Sequence, residues 1–347
     1  MANGDRHSVN MVDVAREAGV SVSAVSRALA GGKGVSERTR LKIQQLSEQL
    51  GYVVSPEASK LAGGRTGRVG LITPTINEWF YSAVIAGVAA ELTAAGIDVL
   101  LYPLDSSDER RRFFEELPAR RKVDAVINIA FPITEEEWER LDAMGVHAVV
   151  AGTITPGRPS VGIDEELAAR DAVNHLLGLG HRRIAMISAV DPEGNHYSAD
   201  VGRERGYRSA LAAAGIDADV ELVVPVPWGI EGGAQGMDKI LTLSRLPTAI
   251  FAFSDEVAYG ALQSLRRSGL RVPQDMSIIG IDDHPMAETM DLTTVHQTPF
   301  EQGVLAGRLS LSLIKGESPD QQIVCPANLV VRRSTCPPSA IEMALPA

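Results

Sequence analysis

Ser23, Ser26 and Arg27 lie in the stretch VSVSAVSRAL at spacings that gather them on one side of a short helix, with Val25 and Leu29 on the other. Hydroxyls on such a face reach phosphates or base edges in a DNA major groove, and a guanidinium can take the O6 and N7 of guanine together. The plainer alternative is a small helical cap whose polar face is only solvated. Elsewhere the motifs of covalent or metal chemistry are missing. No G-x-S-x-G, H-E-x-x-H or G-x-G-x-x-G occurs, and Gly31-Gly32-Lys33-Gly34 lacks the spacing and the Ser/Thr of a phosphate loop. His175, His181 and His284 are scattered without metal-ligand spacing. No enzymatic activity, metal or cofactor is therefore expected.

Three short helices are needed to hold that face. The first is expected over about Val12 to Ala18, with Val14, Ala15 and Ala18 on an apolar stripe, and Gly19 supplies the tight turn that follows. Ser21 is placed to cap the second helix, its hydroxyl accepting a free N–H one turn in. Ser36 caps a third, whose Ile43, Leu46 and Leu50 recur at helical spacing before Gly51 ends it. The segments VDVAREAGVS, SAVSRAL, VSERTR and LGY resemble the N-terminal domain of the LacI family of bacterial transcription regulators, without a gap over about fifty residues. That resemblance implies DNA contacts from Val12, Ser21, Val22, Ser23, Ser26, Arg27, Ser36 and Thr39, with Val22, Ser23 and Arg27 reading bases.

Charge is divided unevenly along the chain. The net value is −11 over 347 residues, which as a whole opposes nucleic-acid binding. Residues 1–66, however, hold nine Lys/Arg against six Asp/Glu, and the remainder holds 24 against 38. An excess of three positive charges is weak for one reader. Two readers on one site accumulate counterion release, so the pattern favours a dimer on double-stranded DNA. The length calls for two or three domains, and 45% apolar residues is ordinary for a globular chain. No apolar run reaches membrane-spanning length, and MANGDRHSVN lacks the apolar core of a signal peptide. With only Cys325 and Cys336, a cytoplasmic, disulfide-free protein with no membrane association is expected.

Between Tyr52 and Gly64, Ser55-Pro56 reads as a helix start, and the helix that follows is too short to hold alone in water. Here the family resemblance implies a hinge helix that orders on operator DNA. Leu61 would wedge into the minor groove, with Ala58 beside it and Lys60 near the phosphates. Glu57 and Ser59 depart from the family's usual apolar and basic residues.

From Arg68 onward the period changes. Strand-like runs (Val69–Ile72, Asp98–Leu101, Ala125–Ile129, His147–Val150, Arg183–Ile187, Leu222–Pro225, Ala249–Phe253, Ser277–Ile281) alternate with helical ones. The helices are expected over Trp79–Ala95, Ser107–Arg121, Glu135–Met144, Glu165–Leu179, Arg203–Ala214, Glu231–Leu243 and Glu256–Ser268. About six strands in each of two sheets make a two-lobed α/β body with a ligand between the lobes. The expected class is thus α plus α/β: a three-helix helix-turn-helix domain (1–54), a hinge (55–67), and a body (68–347) that the resemblance likens to a periplasmic sugar-binding protein with parallel sheets. LGHRRIAMIS, RERGY, SDEVAYGAL and GLRVPQDMSIIGIDD extend the resemblance over nearly the whole chain. The N-lobe is placed at 68–161 and 296–321 and the C-lobe at 164–293 and 325–340, with crossings near Val161–Ile163, Thr293–Val295 and Gln321–Cys325.

Ligand contacts belong at strand ends. Asn77, Trp79 and Phe80 follow the first strand, and an aromatic face suits a sugar's C–H side or a flat base. Core packing at the helix start is the alternative. By the resemblance Arg203, Trp228, Asp255 and Asp282 match effector-binding positions, with Asp164 and Gln297 near the crossings. A carboxylate there accepts from vicinal hydroxyls, although capping the next helix competes for Asp255. Ser254 replaces a frequent asparagine. The expected protein is a homodimeric, effector-controlled repressor of carbohydrate genes that binds a palindromic operator. A purine, nucleoside or sugar phosphate remains an alternative effector, and a sugar receptor without DNA binding is the reading from another class. The small residues Ala83, Ala86, Ala89 and Ala90 mark the helix from Trp79 as the subunit contact, and the tail after Arg333 carries no leucine heptads for tetramerisation.

Overall fold

The computed structural model describes residues 9–29, 34–52, 65–104, 106–120, 122–143, 145–190, 198–318 and 322–339. The expected hinge contacts Ala58, Lys60 and Leu61 lie outside them, as does the end of the tail. The chain divides into two compact units, Met1–Gly67 and Arg68–Ala347.

In the first unit, α1 (Met11–Ala18) starts on Asn10, whose side chain accepts from the Val12 and Asp13 N–H groups while Asp13 accepts from the Asn10 N–H. This capping box begins the helix one residue earlier than expected. Gly19, at φ 70°, ends it in the left-handed region that glycine adopts without strain. Lys42 donates to the Ala18 carbonyl at 3.0 Å, placing a cation at the negative end of α1. Helix α2 (Val22–Leu29) begins where the Ser21 hydroxyl accepts the Ala24 N–H at 3.2 Å. Helix α3 (Glu37–Leu50) begins where Ser36 accepts the Thr39 N–H. Val14, Ala15, Ala18, Val25, Ala28 and Ile43 form the core, with Leu29 packed at its margin.

The second unit holds two six-stranded sheets. The first contains β1 (Arg68–Thr73), β2 (Asp98–Pro103), β3 (Ala125–Ile129), β4 (His147–Ala151), β5 (Ser160–Gly162) and β11 (Gln322–Val324), in the order β11-β5-β4-β3-β1-β2. The second contains β6 (Ile184–Val190), β7 (Val223–Pro227), β8 (Ala249–Ala252), β9 (Ser277–Asp282), β10 (Thr293–His296) and β12 (Asn328–Val330), in the order β12-β10-β9-β8-β6-β7. All pairings are parallel except β12 on β10. Among the described residues the sheets are otherwise parallel, as the expected class has them. β11, parallel to β5, brings the chain to the crossing, so β12 starts where β10 ends and runs back along it.

Helices α4 (Trp79–Ala94), α5 (Ser107–Arg120) and α6 (Glu135–Ala143) follow strands of the first sheet. Helices α7 (Glu165–Gly178), α8 (Ser198–Ala213), α9 (Ile230–Ile240), α10 (Asp255–Arg267) and the short α11 (Met286–Thr289) belong with the second. The chain crosses between lobes after β5, after β10 and between β11 and β12. Since β10 lies wholly in the second sheet, the middle crossing falls at Gln297 and Thr298.

One long helix has no counterpart in the expected elements. Helix α12 (Pro299–Lys315) returns to the first lobe and packs along α4. Its glycines hide it from periodicity, and they are there for packing. A Cβ on Gly303 would fall on the Val84 carbonyl, and one on Gly87 of α4 would fall on that of Phe300. The two backbones touch where a side chain would stand.

Candidate DNA-reading face and ligand cleft

On the first unit, α2 buries Val25 and Ala28 and turns Ser23 and Arg27 to solvent, with Ser26 half-buried. Val12 and Val22, at the starts of α1 and α2, are 52% and 41% exposed. Large apolar side chains left in water at the end of a polar face suit thymine methyl groups. Leu41, also 52% exposed, joins them and was not singled out by sequence, because it breaks no pattern on α3. The Ser21 hydroxyl pairs with that of Ser23 at 3.0 Å, and Ser36 pairs with Thr39 at 2.8 Å. In each pair one hydroxyl donates to the other, so one O–H is left to donate to a phosphate oxygen while the capping bonds fix the backbone N–H groups.

On the second unit, the carboxyl ends of both sheets meet at the crossings. Arg203 in α8 is 3% exposed; its Nε donates to Glu165 at 2.6 Å, its Nη1 donates to the Phe253 carbonyl, and its plane lies 4.4 Å from the Phe253 ring centre. Asp282 ends β9 with φ 132°, followed by Asp283 at 55°. Two successive non-glycine residues in that region store strain in the turn holding the carboxyl. Asp282 accepts from Gln297 at 2.6 Å, and Gln297 accepts from Gln302 of α12 at 2.9 Å. A hydrogen-bonded chain thus leads from the second lobe through the crossing into the first.

Burial pushes the Asp282 carboxyl up to about 7, against the pull of Arg203 and the Gln297 amide. Asp255 is also raised well above its ordinary value by burial and by the Asp282 charge. Its oxygens are engaged, one by the Thr294 hydroxyl at 2.6 Å and one by the His284 N–H at 2.9 Å. Asp255 therefore joins β10 and the turn after β9 to α10. The α10 cap is Ser254, which accepts the Val257 N–H.

The aromatic residues line up across the crossings. Trp79 lies edge-on to His284 at 5.1 Å, and Trp228 lies against Tyr81 at 5.2 Å and Phe253 at 4.9 Å. Phe80 is 4% exposed and edge-on to Tyr81, so it occupies the first lobe's core. Asp164 caps α7 by accepting the Leu167 N–H, and Asn77 is exposed, its N–H donating to Thr75.

Residues 10–55 match the family of bacterial regulatory proteins, lacI family, and residues 173–335 match the periplasmic binding protein-like domain. Over 333 residues the chain is 33% identical to catabolite control protein A of Priestia megaterium, which covers 94% of this chain and 99% of that protein. The chain belongs to the LacI family. It is a DNA-binding transcriptional regulator with a helix-turn-helix domain and a periplasmic-binding-protein-like body. Two solved structures of transcriptional regulators resemble it along its length. One is a transcriptional regulator CelR–cellobiose complex (32% identity, TM-score 0.70, 94% of this chain and 99% of that one). The other is the lac repressor dimer bound to operator and the anti-inducer ONPF (26% identity, TM-score 0.80, the same coverage). No helix among the described residues is long and apolar enough to cross a membrane, and they hold no cluster of metal-ligating residues.

Sequence reasoning about this LacI-family chain missed Glu165, Glu256, His284 and Tyr259. Glu165 and Glu256 read as ordinary first-turn acids favoured by the helix dipole. Glu256 is half-buried and accepts the Trp79 N–H across the cleft at 3.4 Å. Their one available signal was position, immediately after residues already placed at strand ends.

Proposed function

We propose that this chain is a dimeric, effector-controlled repressor of carbohydrate uptake or catabolism genes, acting in the cytoplasm on a palindromic operator. Residues 1–54 form the reader and 55–67 the hinge, with Leu61 entering the minor groove, Ala58 beside it and Lys60 near the phosphates. Val22, Ser23 and Arg27 read bases, and Val12, Ser21, Ser26, Ser36 and Thr39 place the reader on phosphates and groove edges. The effector, a sugar or sugar derivative, contacts Trp79, Arg203, Trp228 and Asp282, with Asn77, Phe80, Asp164, Asp255 and Gln297 around it. Support for a sugar comes from the carboxylates, the aromatic faces and the cellobiose held by the CelR structure. The dimer uses the face of α4 that α12 leaves open, where Ala86 and Ala90 are exposed.

Control is a population shift: the effector acts through its differential affinity for two lobe arrangements, only one of which lets both hinges order on DNA. The observation that carries the reading is α2, which buries Val25 and Ala28 and leaves Ser23 and Arg27 free to enter a groove. Selection from a random operator pool, followed by footprinting with Arg27→Ala, tests it. We expect relaxed preference at one base pair and a loss of about 1–3 kcal/mol on the selected site. Absence of any selected sequence at moderate salt, with or without sugars, would refute the reading.

A further inference from the structure

Among the described residues the guanidinium of Arg203 stands in the cleft among several carboxyl groups, and their arrangement bears on the charge of the ligand. Arg203 has Glu165 at 2.6 Å, and the charges of Asp282 and Asp200 also act on it. Asp282 in turn feels Glu256 and Glu165. The next cation along, Arg332, is paired with Asp283 at 2.7 Å. Burial lowers the His284 pKa and so disfavours its charged form. An arriving phosphate would meet a guanidinium whose Nε is held by Glu165 and whose Nη1 is held by the Phe253 carbonyl, among carboxyl groups that burial raises toward the neutral form and that offer an anion no cation.

The same place is rich in acceptors. Among the described residues Glu165 Oε1, Tyr259 Oη and Ser188 Oγ are buried with no hydrogen-bond partner. Glu165 is 7% exposed, and its other oxygen holds Arg203. Tyr259 lies within the field of Asp255 and Asp282, and Ser188 is near the carboxyl end of β6. Buried polar groups left unmatched are costly: Glu165 Oε1 calls for a donor and the two hydroxyls for either, which a ligand's hydroxyls, donating and accepting, supply.

Resting on the effector-controlled reading above, we propose that the cleft selects an uncharged, hydroxyl-rich ligand and rejects sugar phosphates, with Glu165 as the deciding residue. Glu165 accepts from a ligand hydroxyl through Oε1 and, through Oε2, denies Arg203 to anions. Glutamine at this position keeps the shape and removes the charge, uncovering the guanidinium.

The test is thermal unfolding of the full chain at constant ionic strength in inorganic phosphate and in glucose 6-phosphate. The proteins compared are wild type, Glu165→Gln and the double variant Glu165→Leu/Arg203→Leu. We expect neither anion to move the wild-type Tm beyond a matched chloride control. Glu165→Gln should gain an anion-dependent rise of about several degrees, which the double variant lacks. A rise in wild type that the double variant loses overturns the proposal, as does a folded Glu165→Gln without the gain; the wild-type arm stands even should a variant misfold. A parallel operator-binding assay with cellobiose, ribose, glucose and glucose 6-phosphate separates the two readings. Control by the phosphate ester alone sinks the selectivity proposal and leaves the regulator standing. Loss of operator binding itself sinks the regulator while the anion measurements still report the cleft.

Discussion

Where the lobes meet, the first presents the start of α4 with the half-buried Trp79, whereas the second presents Arg203, Glu165, Asp255 and Asp282 from three helices and a strand end. One side offers a covering ring and the other a buried polar lattice edged by Trp228 and Phe253. The difference assigns labour. In the proposed site the polar groups of the second lobe hold one another in place, and Trp79 of the first lobe covers them. Damage to the second lobe should therefore cost fold and affinity together, and damage to the first should cost mainly cover.

The largest effect should come from breaking the Glu165–Arg203 pair on one side only. Glu165→Leu strands a buried guanidinium and should cost about 3–5 kcal/mol in urea unfolding, while the double variant Glu165→Leu/Arg203→Leu should return close to wild type. Equal losses in both would mean that the packing at this spot, and not the charge, holds the lobe. Asp282 comes next. Its folded pKa of about 7 is above the ordinary value of 3.8, so its contribution to stability is complete below about 4 and is lost as pH rises through about 7. Asp255 titrates in the same direction. Wild type should lose stability across that window, and Asp282→Asn should flatten the slope. Unfolding midpoints from pH 5 to pH 8 measure it, and an unchanged slope would assign the dependence elsewhere. In the presence of a stabilising sugar the same variant should lose about 1–3 kcal/mol of affinity by calorimetry.

The two regions also differed in how far they were legible beforehand. In the reader, caps, turns and the polar face come from residues within a turn of each other, so Ser21, Gly19, Ser36 and Gly51 announced themselves. In the body the alternation of strand and helix gave two sheets of about six strands. The cleft is built by contacts distant in sequence: Glu165 to Arg203, Asp255 to Thr294, Glu256 to Trp79. No local pattern encodes them, and an acid in a helix's first turn looks the same whether it faces water or a buried arginine. Resemblance brought out Arg203 and Asp282, and it left their partner Glu165 unremarked. Helix α12 escaped for another reason, since Gly303, against the Val84 carbonyl, and Gly307, against the Glu91 side chain, lower helix propensity to let α12 pack close on α4.

That close approach gives a test confined to the first lobe. Gly303→Ala would normally strengthen a helix, yet here the added methyl falls on the Val84 carbonyl. The expected outcome is destabilisation of about 1–3 kcal/mol by overpacking. Gly316→Ala at the end of the same helix makes no such contact, although its φ of 83° strains it. Comparison of the two distinguishes packing from backbone preference. A stabilised Gly303→Ala protein would show that α12 can shift away from α4 at little cost.

The smallest effect should come from Trp79, and its size decides whether the division between lobes is real. The ring is half-buried and meets His284 edge-on at 5.1 Å, while its backbone N–H, which any residue supplies, makes the contact with Glu256. Trp79→Ala removes the ring and keeps the N–H. It should cost about 0.5–1.5 kcal/mol for the aromatic contact, with Trp79→Phe recovering most of it. Unfolding midpoints of the full chain, with and without a stabilising sugar, separate fold from cover. A Trp79→Ala loss as large as that of Glu165→Leu would make the aromatic side an equal partner in holding the body together. A loss seen only with sugar present would place Trp79 on the ligand alone.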